Sequence, residues 1–243
     1  MQQVREEADE WHDENWARLF DYLMELDPEE FFVDVVVDAG CHFKSYFVGI
    51  VAALKILKEG GLDYYSVDAC HIKHVMSNGL QLHLLVGRTG ANKFQTIAFS
   101  LDLGETADSY QRFADNCREF GFGVLADVEP GPFERVAVAF SDGFKGTTYF
   151  TQLFQRMFHA RCAKHLCRSV RVAVVKKKKT NATVNAAFHD NQLMAVCKAA
   201  SKADLAEAKK KLAATSPHAL QVLQQLDPTM CVVAVIDLLT VLP

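Results

Sequence analysis

Hydrophobic and polar positions recur along the chain with periods that predict an ordered series of helices and strands. Between residues 5 and 26 the apolar residues return every three or four positions, which is typical of a helix with one buried face. The apolar run at 31–38 predicts a strand, and the segment YFVGIVAALKILKEGG predicts an amphipathic helix that ends at its glycines. Three consecutive strands should follow, separated by turn residues: LDYYSVDAC, LQLHLLVGR and KFQTIAFSLDL.

Helical and strand patterns alternate after these three strands. The segment TADSYQRFADNCREFGF predicts a helix with Thr106 or Asp108 as its cap and Gly121 as its stop. A short buried strand, a helix and a further strand–helix unit come next: ERVAVAFSD, GTTYFTQLFQRMF and HARCAKHLCRSVRVAVV. Three antiparallel strands followed by alternating helices and strands predict an α/β fold, a mixed sheet with helices on both faces and flanking helical segments.

This order divides the chain into three predicted segments. Residues 1–60 are a helix–strand–helix flank, residues 61–175 are the α/β core, and residues 176–243 are a helical region rich in Ala and Lys. The apolar tail CVVAVIDLLTVLP is shorter than the roughly 18 residues that a membrane helix needs, and Asp237 interrupts it. We therefore expect no membrane partner.

Charge is distributed unevenly between the N-terminal segment and the rest of the chain. The formal net charge is −4, yet residues 1–30 hold eleven acidic and two basic residues, which leaves 24 basic and 19 acidic residues in the remainder. A mildly basic body permits a DNA partner without demonstrating one. Seven scattered cysteines and the lack of an apolar signal region predict a reduced, intracellular protein.

One carboxylate ends the first strand of the predicted core. In YYSVDACHIKH, Asp68 follows the strand-forming residues Tyr64, Tyr65 and Val67. A buried charge at that place is unfavourable unless a metal ion or a cation pairs with it. The fourth strand of the core ends at Asp142, and in the ribonuclease H-like fold the first and fourth strands lie side by side. In that arrangement the two carboxylates meet at the centre of the sheet.

Three stretches of the chain closely resemble the catalytic core of Mutator-like element transposases, and the resemblance covers roughly residues 14–235. They are YSVDACHIKH, LLVGRTGANKFQTIAFSLDLGETADSYQRFADNC and VAVAFSDGFKGTTYFTQLFQRMFHARCAKHLCRSVR. The family's motifs occur in the family's order: a strand ending in Asp with a Lys after it, an acidic turn, an Asp-Gly-x-Lys-Gly step and a Cys-x-x-His step. The matching positions are Asp68, Lys73, Glu105, Asp142, Gly143, Lys145, Gly146, Cys162 and His165.

The resemblance implies a ribonuclease H-like fold and the DNA chemistry of a transposase. In such enzymes two divalent ions, Mg²⁺ or Mn²⁺, lie about 3.5–4 Å apart and promote DNA cleavage and strand transfer. Asp68 is expected to bridge the two ions and Asp142 to bind one of them. Lys73 and Lys145 are candidate contacts to the DNA backbone, although surface lysines commonly have no specific role.

The family completes its metal site with a third acid, a Glu on a later helix. Here Glu207 is the sole Glu after residue 134, and its context KADLAEAKKKL does not resemble the family's Glu segment. We therefore expect the third carboxylate to be missing and residues 176–243 to be a truncated form of the family's helical insertion. A second hypothesis follows: a catalytically inactive, transposon-derived DNA-binding or regulatory protein.

Simpler interpretations exist for several motif residues. An Asp before a glycine, such as Asp142, is typical of a turn, and Glu105 is expected in a turn or at a helix cap. Cys162 and His165 supply two of the four ligands of a zinc site, so a structural role or a supporting role near the active site is favoured over zinc binding. A metal-dependent hydrolase that uses both of them with His71 is a third hypothesis.

Two further groups of residues bear on location and on the core. The lysine run at 176–179 indicates either a nuclear-import signal, and hence the nucleus, or a solvated loop. Several aromatic residues are expected in the hydrophobic core and not as platforms for nucleic-acid bases: Phe94, Phe99, Tyr110, Phe113, Phe150, Phe154 and Phe158.

Overall fold

A computed structural model describes the greater part of the chain. The described residues are 18, 21–23, 25–37, 39, 43–72, 79–123, 137–141, 147–154, 157–177, 186–199 and 201–226. They form a mixed α/β structure, which confirms the fold class at that level. The strands are β1 (Phe31–Val37), β2 (Phe43–Ile50), β3 (Gly61–His71), β4 (Leu80–Thr89), β5 (Phe94–Leu103), β6 (Ala137–Ser141) and β7 (Met157–Arg161). The helices are α1 (Val51–Gly60), α2 (Ala107–Glu119), α3 (Thr147–Leu153), α4 (Ala163–Lys177), α5 (Ala186–Cys197), α6 (Lys202–Thr215) and α7 (Pro217–Leu226).

The strands form an open mixed sheet in the order β1-β2-β5-β4-β3-β6-β7. Strands β3, β4 and β5 pair in the antiparallel sense, as the sequence predicted, and β2 pairs antiparallel with β1 and with β5. Contacts within the chain divide it into two compact units. The first unit comprises residues 1–128 and 145–157, and the second comprises residues 129–144 and 158–243.

Strand β2 occupies the start of a segment that the sequence predicted to be helical. The expected helix covered residues 46–61, but the strand runs to Ile50 and α1 begins only at Val51. The first residues of the segment are aromatic or β-branched and favour a strand, and pairing with strands on both sides satisfies their backbone groups. Phe47 and Val48 are adjacent and both buried, so the alternation that marks a half-buried strand is lost.

Other predicted boundaries hold to different degrees. Helix α2 begins as expected: the Thr106 hydroxyl accepts a hydrogen bond from the Ser109 amide at 3.1 Å, and the Ser109 hydroxyl accepts one from the Thr106 amide at 3.0 Å. The helix expected over 146–158 is shorter, because α3 ends at Leu153 and Met157 already belongs to β7. Strand β1 and the helical character of the described C-terminal region are confirmed. Within the helix expected at 5–26 the described residues 18 and 21–23 are helical, whereas residues 25 and 26 already form a turn. The tail at 231–243 lies outside the described residues.

The first unit has its core between one face of its strands and helix α2. The Phe47 ring of β2 lies 5.7 Å from the Phe113 ring of α2 and 6.3 Å from the Phe120 ring just after it. Gly49 makes this packing possible, since a Cβ there would lie 2.6 Å from the Phe120 ring. The close contact explains how α2 covers this face of the sheet.

The aromatic residues expected in the core divide into three groups. Tyr110, Phe113, Phe150 and Phe154 are buried as predicted, and Phe99 is half-buried. The prediction is wrong for Phe94, whose side chain is 75% exposed. Phe94 opens strand β5 at the tip of the β4–β5 hairpin. The side chain of Phe158 lies outside the described residues.

The second unit contains a helical core of its own. Helices α4 to α7 bury apolar side chains against one another, among them Leu166, Val170, Leu193, Val196, Leu212 and Leu223. The thiols of Cys167 and Cys197 lie in the same core with their sulfurs 4.0 Å apart, and no disulfide joins them. The Ala-rich and Lys-rich sequence of this region thus packs as a helical cluster.

Candidate functional site

Asp68 lies near the end of strand β3 with an exposed side chain. Its register partner on β4 is Leu84, and alternation along the strand places Asp68 and Cys70 on one face and Ala69 and His71 on the other. The Ala69 amide donates a hydrogen bond of 2.9 Å to Oδ1 of Asp68. Water reaches this carboxylate, so the expectation of a buried charge that requires a cation is wrong. The same exposure leaves it accessible to a metal ion.

Three other sequence-predicted residues lie outside the described part of the chain. They are Asp142, Lys73 and Lys145. Strand β6 ends at Ser141, one residue before Asp142, so the strand expected to lead to this carboxylate is present. Glu105 is half-buried just before the N-cap of α2, where the Tyr110 hydroxyl donates a hydrogen bond of 3.3 Å to its Oε1. Glu105 therefore has the helix-start position that was expected for it.

Cys162 and His165 lie at the start of helix α4. The Cys162 amide donates to the carbonyl oxygen of Ser141 at 2.6 Å, and the Cys162 carbonyl accepts from the Leu166 amide at 2.9 Å. Cys162 thus links strand β7 to the first turn of α4. Nδ1 of His165 is buried and has no hydrogen-bond partner among the described residues.

His159, which sequence reasoning missed, joins this end of β6 and β7. Its Nε2 lies 2.6 Å from the hydroxyl oxygen of Ser141, within hydrogen-bonding distance. Ser141 is 4% exposed and His159 is half-buried, so the hydroxyl is shielded from water more fully than the imidazole. The sequence offered one signal, a polar residue inside a short apolar strand, which is too common to identify a site.

The described residues do not bring together a complete set of metal ligands. Over the ranges that the structure describes, no group of three or more His, Cys, Asp or Glu side chains is arranged to hold a metal ion. Of the two expected metal ligands, Asp68 and Asp142, Asp68 is the one that the structure describes. Glu207, the late acid in the sequence, is exposed on α6 and pairs with Lys211 one turn on, with Nζ and Oε1 3.5 Å apart.

A second polar cluster, which the sequence did not reveal, lies on the buried face of strands β4 and β5. The Ser100 hydroxyl donates to Oδ2 of Asp102 at 2.7 Å, and Nη2 of Arg112 donates to Oδ1 at 3.1 Å. Nε2 of His83 lies 3.6 Å from Oδ2 of Asp102, and the Tyr110 ring packs edge-on against the imidazole at 4.6 Å. We call His83, Ser100, Asp102 and Arg112 the buried cluster.

Burial determines how the buried cluster titrates. Desolvation lowers the pKa of His83 to about 4, and the positive charge of Arg112 adds to this effect. Desolvation also raises the pKa of Asp102, against the opposing hydrogen bonds from Ser100 and Arg112. Neutral imidazole beside a carboxylate that is neutralised by arginine is the arrangement that these surroundings favour.

The buried cluster contains Ser, His and Asp but lacks the geometry of a nucleophilic triad. In a triad the histidine lies between the other two residues, whereas here Ser100 bonds directly to the carboxylate of Asp102. Neither nitrogen of His83 has a hydrogen-bond partner among the described residues. None of the three side chains is more than 3% exposed, so a substrate has no access. The cluster is a structural network.

Comparison with known proteins adds no family assignment. No model of a protein family matches the sequence, and no curated protein shows significant similarity to it. None of the helices that the structure describes combines the length and the apolar character needed to span a membrane.

Proposed function

We propose that the chain is a transposase domain of the Mutator-like type, with a ribonuclease H-like fold, that cleaves and joins DNA. If the five strands β3 to β7 are numbered first to fifth, they lie in the sheet in the order third, second, first, fourth, fifth. The ribonuclease H-like fold places its first and fourth strands side by side, and the corresponding adjacency of β3 and β6 is the observation that carries the proposal. The order of the sequence motifs around Asp68, Asp142, Cys162 and His165 adds support.

The proposed cofactor is a pair of divalent ions, Mg²⁺ or Mn²⁺, held by Asp68 and Asp142. Carboxylate oxygens are the ligands these ions prefer, and the Asp68 carboxylate is exposed, with one oxygen accepting a hydrogen bond from the adjacent backbone amide. Asp68 therefore fits the role of a ligand. When bound, such ions activate an attacking oxygen and stabilise the leaving oxygen of a phosphodiester. Lys73 and Lys145 would contact the DNA backbone, and Cys162 and His165 would support the site from the start of α4.

Plasmid cleavage in Mn²⁺ tests this proposal. We expect the purified chain to nick supercoiled DNA, and we expect Asp68→Ala and Asp142→Ala each to abolish the nicking because each removes an ion ligand. Asp115→Ala is the matched control, since Asp115 is an exposed carboxylate on α2 whose hydrogen-bond partner among the described residues is Gln111. Nicking that persists in both ligand variants would exclude the proposed site.

A non-catalytic DNA-binding or regulatory protein on the same fold is the second candidate. The pairing of Glu207 with Lys211 favours it, because an exposed ion pair along one helix is a common surface feature and leaves no assigned third carboxylate. A folded wild-type chain that binds DNA without cleaving it would support this candidate. Cleavage that depends on Asp68 would exclude it.

Both candidate functions, the transposase and the DNA-binding protein, predict that the chain is located in the nucleus. The lysine run at 176–179 begins in the last residues of α4, and residues 178 and 179 lie outside the described part. We expect a fluorescent fusion of the whole chain to accumulate in nuclei and to lose this accumulation when the four lysines become alanine. Unchanged nuclear accumulation in the alanine variant would remove the run as the import signal.

A further inference from the structure

The tip of the β4–β5 hairpin, residues 88–94, presents an aromatic ring to solvent beside two cationic side chains. Phe94 is 75% exposed, the highest exposure among the large apolar side chains that the structure describes. The guanidinium carbon of Arg88 lies 5.5 Å from the centre of the Phe94 ring, and the two residues are register partners at the ends of their strands. Lys93, adjacent to Phe94, is exposed as well.

Backbone hydrogen bonds hold this tip in one conformation. The Thr89 amide donates to the Lys93 carbonyl at 2.9 Å, and the Asn92 amide donates to the Thr89 carbonyl at 2.8 Å. Asn92 takes the left-handed conformation that such hairpin loops require, with φ of 63°. The Gly90 amide donates to the Gly60 carbonyl at 2.8 Å, which attaches the tip to the end of α1. The ring is therefore presented on a fixed support.

The tip segment, residues 88–94, carries two basic residues and no acidic one, and the neighbouring strand β3 has one acidic residue, Asp63, next to Leu62, the register partner of Arg88. No acidic residue occurs between Asp68 and Asp102 in the sequence. Neither Arg88 nor Lys93 forms an ion pair with a carboxylate in the described residues, and Nε of Arg88 is buried there without a hydrogen-bond partner. Helix α1, which ends at the tip, adds the exposed Lys55 and Lys58 and one exposed acid, Glu59.

We propose that the hairpin tip binds single-stranded DNA, with Phe94 stacked on an unpaired base and with Arg88 and Lys93 on the flanking phosphates. An aromatic ring stacks on any exposed base, and a cation beside it strengthens both contacts. A base inside a duplex already has neighbours on both faces, so the ring selects a strand whose bases are free. The choice of DNA over RNA rests on the proposed function, whereas the stacking and phosphate contacts rest on the tip alone.

Binding in EDTA tests the tip independently of any metal-dependent cleavage. The probe is a fluorescent thymidine oligomer of about 16 nucleotides, followed by anisotropy with the full chain. We expect Phe94→Ala to weaken binding roughly tenfold, since loss of one stacked base has about that effect. Phe94→Trp should retain the affinity, and Phe94→Leu, which keeps an apolar side chain without the ring face, should behave like Phe94→Ala.

The matched control is Leu103→Ala. Leu103 ends the same strand, β5, at its other end and is 48% exposed, so this variant removes a comparable apolar group away from the tip. We expect it to bind as the wild type does. Thermal unfolding of every variant confirms that losses of affinity are not losses of fold.

The salt dependence of binding tests the phosphate contacts. We expect Arg88→Gln and Lys93→Gln each to reduce the slope of log affinity against log salt by about 0.7, the value for one phosphate contact on a single strand. Lys210→Gln on α6 is the control for an exposed lysine elsewhere and should leave the slope unchanged.

Several outcomes would overturn the proposal. They are unchanged affinity in Phe94→Ala, an equal loss in Leu103→Ala, tighter binding of a duplex than of the single strand, or tighter binding of an RNA oligomer. A wild-type chain that fails to cleave plasmid but loses oligomer binding in Phe94→Ala would sustain the tip as a DNA contact while removing the catalytic proposal. A chain that cleaves plasmid but binds the oligomer equally well without Phe94 would do the reverse.

Discussion

The two faces of strands β3, β4 and β5 carry residues of the same chemical types in opposite circumstances. On the covered face Asp102 is 1% exposed and accepts hydrogen bonds from Ser100 and Arg112. On the other face Asp68 is exposed and accepts a hydrogen bond from the adjacent Ala69 amide. The face with the more complete set of catalytic residue types is the face that no substrate reaches. The exposure of a side chain and the face of the sheet on which it lies therefore indicate which acid is available for chemistry, and residue type does not.

The period of two along a strand produces this contrast. The register aligns Gln81 with Asp102 and His83 with Ser100, so these polar side chains share the face that α2 covers. Ala69 is the partner of His83 on β3, which places the preceding residue, Asp68, on the opposite face. A one-residue shift of β3 would exchange the environments of these side chains.

The largest effect should come from removing the acceptor of the buried cluster. We expect Asp102→Ala to lower the free energy of unfolding by about 3 kcal/mol, because it leaves the Ser100 hydroxyl and the Arg112 guanidinium without their acceptor. The partial exposure of Arg112, 35%, keeps the loss at the lower end of the range for buried pairs. Urea denaturation measures it.

Two variants control this measurement. Asp102→Asn keeps the shape and an acceptor for Ser100, so it should recover part of the lost stability. Asp115→Ala removes an exposed acid from α2 and should change stability by less than about 0.5 kcal/mol. A loss in Asp102→Ala no larger than that of Asp115→Ala would contradict the structural role of the cluster.

The next effect is a loss of stability in acid that His83 causes. The pKa of His83 is lowered to about 4 in the fold from an ordinary value of 6.5, so its contribution is fully present above pH 6.5 and is lost as the pH falls to 4. Over that range the unfolded chain gains a proton that the folded chain does not, which lowers the free energy of unfolding by about 3 kcal/mol.

His83→Leu isolates this contribution, because leucine has a similar volume and does not titrate. The raised pKa of Asp102 works in the opposite direction, since the folded chain then binds a proton at a higher pH than the unfolded chain does. Wild type and His83→Leu both contain Asp102, so the difference between their free energies of unfolding, measured from pH 7 to pH 4, cancels its contribution. Parallel pH profiles for the two proteins would show that His83 is not held neutral by the fold.

A smaller effect tests how closely the covered face is packed. We expect Gly49→Ala to reduce stability by about 1–3 kcal/mol, because the added Cβ would lie 2.6 Å from the Phe120 ring. Gly60→Ala is the matched control, since a Cβ at the end of α1 meets nothing within 4 Å. Equal denaturation midpoints for the two variants would mean that Phe120 moves aside without loss.

The sequence predicted the parts of the fold that depend on local signals. The three strands β3 to β5, separated by turn residues, and helix α2 with its Thr106 cap were read correctly, because hydrophobic period and capping chemistry are local properties. Strand β2 was misread because its burial on both faces removed the alternation that identifies a strand.

The buried cluster and the exposed ring of Phe94 were beyond sequence reasoning for a different reason. His83 and Asp102 are nineteen positions apart, and only the register of β4 with β5 and the approach of α2 make them neighbours. Phe94 has the residue type of a core position, but its place at a hairpin tip exposes it. Both depend on tertiary arrangement, which overrides residue type.

The smallest effect on stability should come from Asp68, and it completes the contrast with Asp102. We expect Asp68→Asn to change the free energy of unfolding by less than about 0.5 kcal/mol, because the carboxylate is exposed and, within the described ranges, bonds only to the next backbone amide. The same variant should lose Mn²⁺-dependent cleavage if Asp68 holds an ion, since an amide oxygen is a neutral and weaker ligand than a carboxylate. Loss of activity at full stability would separate a functional acid from a structural one on two faces of the same strands. A large loss of stability in Asp68→Asn would instead make this acid a structural residue like Asp102.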